Sequence, residues 1–466
     1  MRYDAIVIGA GMSGLAAALR LAQHDQKVVV VEKHELWGGL NSFYTKGGRP
    51  FDVGLHALTN YAPAGKKGAP LTRVLRWLRI RHEELALGEH AFSEILVPGV
   101  RLTFSNELAR LESEVARAFP GERDGFAALV AWVRAYEVRE DVEPGPSARA
   151  LLARFLGEPL LREMLLLPVL FYGSAREEDT DEQTFAILFR AVFLDGLSRP
   201  EGGIRRLLNL LIKRLKAAGA ELCMGQGVRR VLVRDGRAHG IELENGAVLE
   251  APVVLSSAGR VETLRLAGRA TPASEVGRLS FVESIWVLDR PPAELGHGAA
   301  TSFYSTVPHA LYRRPEARID AQSGVISSPN NFASAKPLPE GILRISVLAD
   351  HARWISLGEP EYLRAKEEAA TAAAEAVRTF LPEWRAHTLF QDVYTPRTIE
   401  KYTGHASGAV YGSPKKSLDG TSGIDGLYLI GTDQGYLGIV GAMISGVAMA
   451  NRHVLMKLGK SAEAAP

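Results

Sequence analysis

Residues 3–14 read YDAIVIGAGMSG and residues 27–32 read KVVVVE, and these two stretches decide the fold of the first part of the chain. An apolar, β-branched run precedes a turn that contains three glycines. The Ala- and Leu-rich segment Leu15–Leu21 then predicts a helix, and a Val run ends in an acid, Glu32. Glu32 follows Gly14 by 18 residues. Strand, glycine turn, helix, strand and acid in this order and spacing indicate a βαβ unit that binds a dinucleotide.

Each position of the turn has a physical role. Gly9 permits the tight turn, Gly11 lets the backbone approach a pyrophosphate, and Gly14 lets the helix pack against the strand. The amide groups at the helix start, those of Met12 and Ser13, are expected to face the phosphates. The alternative is a βαβ unit whose glycines only make a turn.

The acid at the end of the second strand predicts the type of nucleotide. Glu32, with Lys33 beside it, is expected to accept hydrogen bonds from a ribose 2′-OH. A 2′-phosphate would meet like charge there, so the adenosine is expected to be unphosphorylated. The motif binds an ADP moiety and does not by itself distinguish FAD from NAD.

The composition is that of a globular protein. The chain has 466 residues, of which 46% are hydrophobic, and a formal net charge of +2. This balance lacks the strong basic excess that nucleic-acid binding requires, so no nucleic-acid partner is predicted. The single cysteine, Cys223, excludes an intramolecular disulfide and a thiolate cluster, and no metal site is predicted.

The sequence shows no secretory leader and no apolar run of about 18 residues, so a cytoplasmic protein is expected. One segment bears on membranes. Leu71–Arg81 alternates apolar residues with arginines at positions 73, 76, 79 and 81. The pattern predicts either a peripheral contact with a membrane surface or an ordinary surface helix.

Two further segments carry a family resemblance. Residues 36–42 read LWGGLNS and residues 51–56 read FDVGLH. Together with residues 3–32 they resemble the opening of the FAD-dependent amine oxidase and phytoene desaturase superfamily. The likeness is closest to phytoene desaturases, carotenoid isomerases and retinol saturases.

The glycine pair of this region differs from the family pattern in one respect. Members commonly carry Arg after the second glycine, where this chain has Leu40. The resemblance implies that Gly38, Gly39 and Leu40 line the cofactor site. Asn41 or Ser42 is expected to supply hydrogen bonds where the charge of the missing Arg would act.

Residues 199–259 return to an α/β pattern. A helix is predicted to begin after Gly202-Gly203 and to run to about Ala218. The Asp-Gly pair at 235–236 and the Asn-Gly pair at 245–246 predict the turns of a β-meander over residues 228–250. By the resemblance, the backbone of Val228 would hold the adenine.

The C-terminal segment favours FAD over NAD. A strand over residues 426–430 leads into Gly431 and Asp433, a glycine-spaced loop over residues 435–441, and a helix from near Ala442 to about Leu458. The resemblance implies that Asp433 lies near the flavin ribityl chain. The backbone around the helix start would stabilise negative charge on the pyrimidine edge of a reduced flavin. The residues assigned to that edge are Gly438, Ile439, Val440 and Ala442.

The fold class expected is α/β, with a Rossmann-type FAD-binding domain interleaved with an α+β substrate domain. Residues 1–65, 196–265 and 411–466 are assigned to the FAD-binding domain, and residues 66–195 and 266–410 to the substrate domain. Residues 66–195 are predicted to be mainly helical. Helical periodicity recurs in Leu71–Ile80, Leu108–Phe119, Phe126–Tyr136, Ala148–Leu156 and Leu160–Val169.

The sequence of the predicted substrate domain favours an apolar site with few acid–base residues. No acid–base dyad is evident in the sequence, and His56 is the best candidate for a catalytic side chain near the flavin. A histidine satisfied by backbone in a tight loop is the alternative. Four aromatic residues are candidates for an apolar tunnel, with core packing as the alternative: Tyr172, Phe189, Phe193 and Tyr394.

Three functions are compatible with these features. The first is an FAD-dependent oxidoreductase that desaturates, saturates or isomerises a hydrophobic alkene or polyene by hydride transfer at flavin N5. The second is a flavin amine oxidase. That family typically presents an aromatic cage before the C-terminal helix, whereas here Ile439 and Val440 lie next to Gly441, with Tyr436 nearby. The third is a non-catalytic FAD-binding module. The substrate, the electron donor or acceptor, the direction of the reaction and the oligomeric state are not readable from the sequence.

Overall fold

The computed structural model describes residues 1–54, 56–139 and 145–456. Its first sheet has six strands in the order Thr421–Ile424, Leu427–Leu429, Val254–Ser256, Ala5–Ile8, Val28–Glu32 and Glu221–Met224. The five strands from Leu427–Leu429 to Glu221–Met224 are parallel, and the edge strand is antiparallel. The chain first adds Val28–Glu32 on one side of Ala5–Ile8 and later adds Val254–Ser256 on the other side. This change of direction is a topological switch point, where open α/β sheets bind ligands.

Two helices meet on one face of this sheet. Met12–Ala22 follows the first strand, and Gly438–Ala450 follows the last. A β-carbon at Gly446 would overlap the carbonyl oxygen of Ser13, so only glycine allows the two backbones to approach this closely. The helix Ile204–Ala217 packs beside Met12–Ala22. The predicted meander is present and consists of the strands Val228–Arg234, Arg237–Leu243 and Val248–Glu250.

A second sheet has seven strands in the order Thr388–Tyr394, Ser280–Leu288, Gly341–Ala349, Ile319–Ser327, Thr301–Ser305, Ser93–Val97 and Val100–Phe104. Its neighbours are antiparallel except for the pair Thr301–Ser305 and Ser93–Val97. The alanine-rich helix Glu359–Ala376 packs on one face. The other face packs against helices of the first half of the chain.

The helices of the first half of the chain confirm the helical periodicity seen in the sequence. They are Pro70–Trp77, Leu108–Ala118, Arg123–Ala135, Ala148–Phe155, Pro159–Gly173 and Glu182–Phe189, with Arg260–Leu266, His351–Ile355 and Pro396–Thr403 elsewhere in the chain. The short two-stranded pairs are Phe43–Lys46 with Arg49–Asp52, and Leu87–Glu89 with Ser198–Pro200. None of the helices within the described ranges combines the length and the hydropathy that a membrane span requires.

Two details differ from the sequence predictions. Residues 93–104 form a hairpin inside the segment predicted to be mainly helical, and the hairpin turns at Pro98-Gly99, where Gly99 has φ +78°. The C-terminal helix begins at Gly438, four residues before the predicted start at Ala442. Packing against Met12–Ala22 outweighs the weak helix propensity of its glycines. Its predicted end at Leu458 lies outside the described residues.

The arginine-rich helix Pro70–Trp77 packs its apolar side into the core. Leu71, Val74, Leu75 and Leu78 are buried against the C-terminal helix, and the four arginines predicted to alternate with them are exposed. No apolar face of this helix is therefore left for insertion into a bilayer.

Candidate functional site

The three glycines of the first turn differ in whether the surrounding protein requires glycine at that position. Gly9 has φ +93°, and a β-carbon there would overlap the Ser257 hydroxyl. A β-carbon at Gly14 would overlap the carbonyl oxygen of Gly9. Gly11 has no heavy atom within 4 Å of such a β-carbon and an ordinary φ of −73°. The protein itself therefore does not require glycine at Gly11, and the open space there fits the close approach of a dinucleotide phosphate.

A cavity of about 320 Å³ opens in front of this turn. It collects residues from the beginning, the middle and the end of the chain. Fourteen of the predicted cofactor-binding residues line it: Gly9, Gly11, Met12, Ser13, Glu32, Lys33, Gly38, Gly39, Leu40, Asn41, Val228, Gly431, Asp433 and Ala442. The two glycine-rich units at opposite ends of the chain thus face one space, which we call the glycine-lined cavity.

Glu32 is anchored on the wall of the glycine-lined cavity. One carboxylate oxygen accepts from the Ala10 amide at 2.8 Å, and the other accepts from the His34 amide at 2.9 Å. A carboxylate has further lone pairs, so Glu32 can also accept from a sugar hydroxyl. The side chain of the adjacent Lys33 lies against Gly404. A β-carbon added at Gly404 would be 2.6 Å from the Lys33 ammonium nitrogen.

Asp433 joins three segments of the chain beneath the cavity. Its buried carboxylate accepts from the Arg260 amide at 2.6 Å, the Ser413 amide at 2.8 Å and the Lys416 ammonium at 3.2 Å. Burial lowers the pKa of Lys416, and the attraction of Asp433 only partly offsets this effect. Asp433 therefore fixes the loop after Tyr411 against the start of the helix Arg260–Leu266.

A second cavity of about 210 Å³ continues from the first, and Leu40, Asn41, Thr432 and Ala442 line both. We call it the apolar cavity, because its walls are mostly aromatic and aliphatic. Its other lining residues include Ala57, Phe171, Tyr172, Phe281, Val325, Tyr394, Ile399, Val410, Tyr411 and Leu437. An apolar guest in this cavity would lie directly beside a cofactor in the glycine-lined cavity.

The remaining predicted site residues divide between this cavity and the core. His56, Gly438 and Ile439 line the apolar cavity. Gly14 and Val440 line neither cavity; Gly14 lies under the first turn, and Val440 is fully buried in the core.

The aromatic residues proposed for a tunnel also divide. Tyr172 and Tyr394 line the apolar cavity, whereas Phe189 and Phe193 are core residues.

The floor of the apolar cavity is one row of directly paired residues across the seven-stranded sheet. Tyr394 pairs with Glu283, Glu283 with Ser346, and Ser346 with Val325. All four line the cavity. Because paired residues project to the same face, the register alone brings the Glu283 carboxylate into the floor of the cavity.

Glu283 is the centre of a buried polar network. One of its oxygens accepts from Arg344, and the other accepts from the Ser346 hydroxyl at 2.8 Å and lies 3.2 Å from His56 Nε2. The second ring nitrogen of His56, Nδ1, lies 2.7 Å from the Ser327 hydroxyl. Burial would raise the pKa of Glu283, but the charges of Arg344 and His56 outweigh it and lower the pKa to about 2. Glu283 is therefore ionised.

This network was not evident in the sequence. It was missed because Glu283 and His56 are 227 positions apart and meet only through the sheet register. One signal could have found it. Glu283 interrupts the apolar strand SFVESIWVL, and an acid inside a buried strand requires a partner.

Other lining residues were also missed in the sequence. Ser257 and Gly259 follow the strand Val254–Ser256, and Thr432 follows the last strand. Their position in the sequence could have predicted them, because residues at the carboxyl ends of parallel strands next to a switch point line the ligand site. The loop 402–405 carried no comparable signal.

Comparison with known proteins agrees with this geometry. Residues 7–68 match the family described as an NAD(P)-binding Rossmann-like domain. The chain is 24% identical to prolycopene isomerase 2 of an Oncidium hybrid cultivar, over 97% of this chain and 83% of that protein. It is 25% identical to all-trans-retinol 13,14-reductase of Danio rerio, over 97% and 86%. A phytoene desaturase (neurosporene-forming) of Rhodobacter capsulatus is 29% identical over 56% of this chain and 53% of its own length.

Solved structures share the fold over nearly the whole chain. An oxidoreductase from Methanosarcina mazei aligns with a TM-score of 0.68 and 18% identity, covering 96% of this chain and 99% of its own. Cyclohexylamine oxidase from Brevibacterium oxydans aligns with a TM-score of 0.63 and 13% identity, covering 98% and 99%. At these identities the likeness concerns the fold alone.

Proposed function

We propose that this chain, which belongs to the FAD-dependent amine oxidase and phytoene desaturase superfamily, is an FAD-dependent oxidoreductase acting on a hydrophobic alkene or polyene of isoprenoid or carotenoid type. The reaction is a desaturation, a saturation or an isomerisation. One observation carries the proposal: the apolar cavity continues directly from the glycine-lined cavity and shares four of its residues.

The relatives support the substrate class. By name, one relative isomerises prolycopene, one reduces retinol and one desaturates phytoene, and the first two align over almost the whole chain. The walls of the apolar cavity suit such molecules, because apolar and aromatic surface is what a hydrocarbon chain buries with a gain in free energy.

The glycine-lined cavity supports FAD as the cofactor. Gly11 offers the open space a pyrophosphate needs, Glu32 an acceptor for ribose, and the helix Gly438–Ala450 begins beside the boundary of the two cavities. A bound flavin would supply hydride transfer at N5. The residues of the chain would hold it, orient the alkene and exclude water.

A flavin amine oxidase remains the competing function. The C-terminal helix begins at Gly438, and the large side chains at its start that line the apolar cavity, Leu437 and Ile439, are aliphatic. This favours an apolar substrate over a simple amine. The competing function predicts peroxide release with amines, which a coupled peroxidase assay measures directly.

The proposal is tested by anaerobic turnover. Purified protein is reconstituted with FAD, and the flavin spectrum is followed after addition of phytoene, prolycopene or retinol to the oxidised and to the reduced protein. We expect a change of flavin oxidation state or an isomerised product with at least one polyene. Bound flavin that responds to simple amines but to no polyene would contradict the substrate class. Flavin that no small molecule can reduce and reoxidise would favour a non-catalytic module.

We also propose that the protein contacts anionic membrane surfaces, where apolar substrates reside. Arg73 and Arg76 on the helix Pro70–Trp77, and Arg79 and Arg81 after it, are exposed, whereas the apolar side of the helix is buried, so the contact would be electrostatic. Sedimentation with phosphatidylglycerol vesicles should carry the protein down, and phosphatidylcholine vesicles should not. The double variant Arg73→Gln/Arg76→Gln should weaken this binding; equal binding to both lipids would contradict the contact.

A further inference from the structure

A third cavity, of about 170 Å³, lies where the strand Arg49–Asp52, the turn before the helix Ile204–Ala217 and the seven-stranded sheet meet. None of the described residues that line it lines the glycine-lined or the apolar cavity. Two of its lining residues are acids, Asp52 and Glu201, and the other charged ones are cationic. We call it the basic cavity, and its cations are Arg199, Arg205, Lys336 and Arg344.

Asp52 compensates only part of this positive charge. Its buried carboxylate lies 2.5 Å from Arg199 Nη2 through one oxygen and 3.5 Å from Arg205 Nη1 through the other. Burial lowers the pKa of Arg199; the charge of Asp52 opposes this effect, and the charges of Arg344 and Arg205 add to it. One carboxylate therefore serves two guanidinium groups, and a third guanidinium is close enough to repel Arg199.

The other charges of the basic cavity do not restore the balance. Glu201 lies 3.6 Å from Arg206, a cation outside the cavity lining. Lys336 lines the cavity from an exposed loop, and within the part of the chain that the structure describes its ammonium forms no ion pair. Buried positive charge requires a counter-charge, and apolar walls concentrate its field. The excess charge therefore favours an anion in this cavity.

Arg205 is held in place with donors to spare. Its Nη2 donates to the backbone oxygens of Tyr44 at 3.0 Å and Phe51 at 2.9 Å, and its guanidinium lies over the Phe43 ring, 4.7 Å from the centroid. A guanidinium has five N–H donors in a planar fork that matches a carboxylate. The side chain is 24% exposed, so the remaining donors can bind an anion in the cavity.

The walls around these cations are largely apolar. Phe51, Ile285 and Phe332 are buried and line the cavity, beside the aliphatic side chains of Leu338 and Ile342. The volume is close to the roughly 150 Å³ of an engineered apolar cavity that binds benzene. A ligand that suits both features has a small apolar body and one anionic head group.

We propose that the basic cavity binds a small organic carboxylate, with its head group held by Arg205 and Lys336 and its apolar body against Phe51, Ile285 and Phe332. This ligand is distinct from the substrate and the cofactor. The inference therefore does not rest on the proposed function.

The pair Arg344 and Glu283 separates the basic cavity from the apolar cavity. Arg344 lines the basic cavity, Glu283 lines the apolar cavity, and Arg344 Nε donates to Glu283 at 2.7 Å. Ile285 pairs with Arg344 two residues along from the pair Glu283 and Ser346, so both rows project to the same face of the sheet. Removal of the Glu283 charge would therefore make the basic cavity more positive and strengthen its hold on an anion.

Calorimetric titration of the full-length protein with benzoate, at constant ionic strength, tests the site directly. Benzoate carries a carboxylate on a benzene ring, benzamide has a similar shape without the charge, and inorganic phosphate has charge without the apolar body. We expect one benzoate per chain, with benzamide bound at least about 10-fold more weakly. No saturable benzoate binding, equal affinity for benzamide, or binding of phosphate but not of benzoate would overturn the inference.

Substitution of the two head-group cations gives the second readout. Arg205→Gln should weaken benzoate binding at least about 10-fold, and Lys336→Gln about threefold, because Lys336 is exposed. Arg205 also holds two backbone carbonyl groups, so Lys336→Gln tests the site without a change in the core. The control is Lys213→Gln, at an exposed lysine outside all three cavities, which should leave the affinity unchanged. Wild-type affinity in folded Arg205→Gln or in Lys336→Gln would overturn the inference.

Three further variants locate the ligand. Glu283→Gln should bind benzoate at least about threefold more tightly. Glu94→Gln should not, because Glu94 is a buried glutamate of the same sheet, 2.7 Å from Arg101 Nε, and lines none of the three cavities. Val325→Phe fills part of the apolar cavity and should leave benzoate affinity unchanged. Loss of benzoate binding in Val325→Phe would place benzoate in the apolar cavity, and this or an unchanged affinity in Glu283→Gln would overturn the inference.

Discussion

Ser13 and Gly431, 418 positions apart in the sequence, lie against each other, because a β-carbon at Gly431 would be 2.7 Å from the Ser13 hydroxyl oxygen. Ser13 lies in the first turn of the first helix, and Gly431 follows the last strand of the parallel sheet. The contact places the N-terminal glycine turn and the C-terminal loop next to each other in the wall of one cavity. This juxtaposition is what allows a single extended cofactor to touch both.

Gly11→Ala should separate cofactor binding from folding. The added methyl meets no protein atom within 4 Å, so the free energy of unfolding of the apoprotein should change by less than about 1 kcal/mol. The methyl would occupy the space of the pyrophosphate, so the Kd for FAD should rise at least about 10-fold. Calorimetric titration checks this. Gly121→Ala, which also meets no neighbour, is the control. Unchanged FAD affinity in Gly11→Ala would argue against phosphate binding at this turn.

Gly446→Ala should destabilise the protein although alanine is the better helix former. In an exposed helix the change would add about 1 kcal/mol to the free energy of unfolding. Here the methyl would overlap the Ser13 carbonyl oxygen, which is backbone and cannot rotate away, so we expect a loss of about 1–3 kcal/mol instead. Chemical denaturation measures the sign. A more stable variant would mean that the two helices are not in contact.

Asp433→Asn should loosen the C-terminal side of the glycine-lined cavity. The carboxylate accepts from Arg260, Ser413 and Lys416, and the amide would turn an NH₂ group toward one of these donors. A buried unsatisfied donor costs about 1–3 kcal/mol, and FAD affinity should fall with it. Thermal unfolding with and without FAD checks both effects. Wild-type stability and affinity in the variant would contradict the role of this carboxylate.

Below about pH 4.5, the free energy of unfolding should depend on whether Glu283 is ionised. Its pKa in the folded protein, about 2, lies below its ordinary value of 4.5. The unfolded chain therefore takes up this proton first, and the stability that the carboxylate contributes, on the order of 3 kcal/mol, is complete above pH 4.5 and is lost as pH falls toward about 2. Unfolding free energies measured across this range should show a steeper slope in the wild type than in Glu283→Gln. Equal slopes would contradict the buried ion pair.

Val325→Phe should block the substrate without removing the cofactor. Val325 ends the paired row on the floor of the apolar cavity and is absent from the glycine-lined cavity. A phenyl ring there would fill space that an alkene needs, so kcat/KM should fall at least about 10-fold while flavin content stays at the wild-type level. Loss of flavin together with activity would show that the two cavities are not independent.

Helices, strands and turns could be predicted from the sequence better than the residues of the candidate site. The glycine turn, the periodic helices and the meander each have short-range patterns, and the structure has them where the patterns predict. The hairpin at residues 93–104 was missed because its two strands are only five residues long each and lie among segments with helical periodicity. The pairing of Glu283 with His56 depends on the register of distant strands, which no local pattern encodes.

Calorimetric titration of the apoprotein with FAD, repeated in the presence of ADP, tests most directly whether the two ends of the chain bind one FAD together. We expect one FAD to bind per chain. ADP should weaken this binding because the ADP half of FAD occupies the N-terminal turn, and Gly11→Ala and Asp433→Asn should each weaken it separately. No FAD binding, or FAD binding that ADP leaves unaffected, would contradict this expectation.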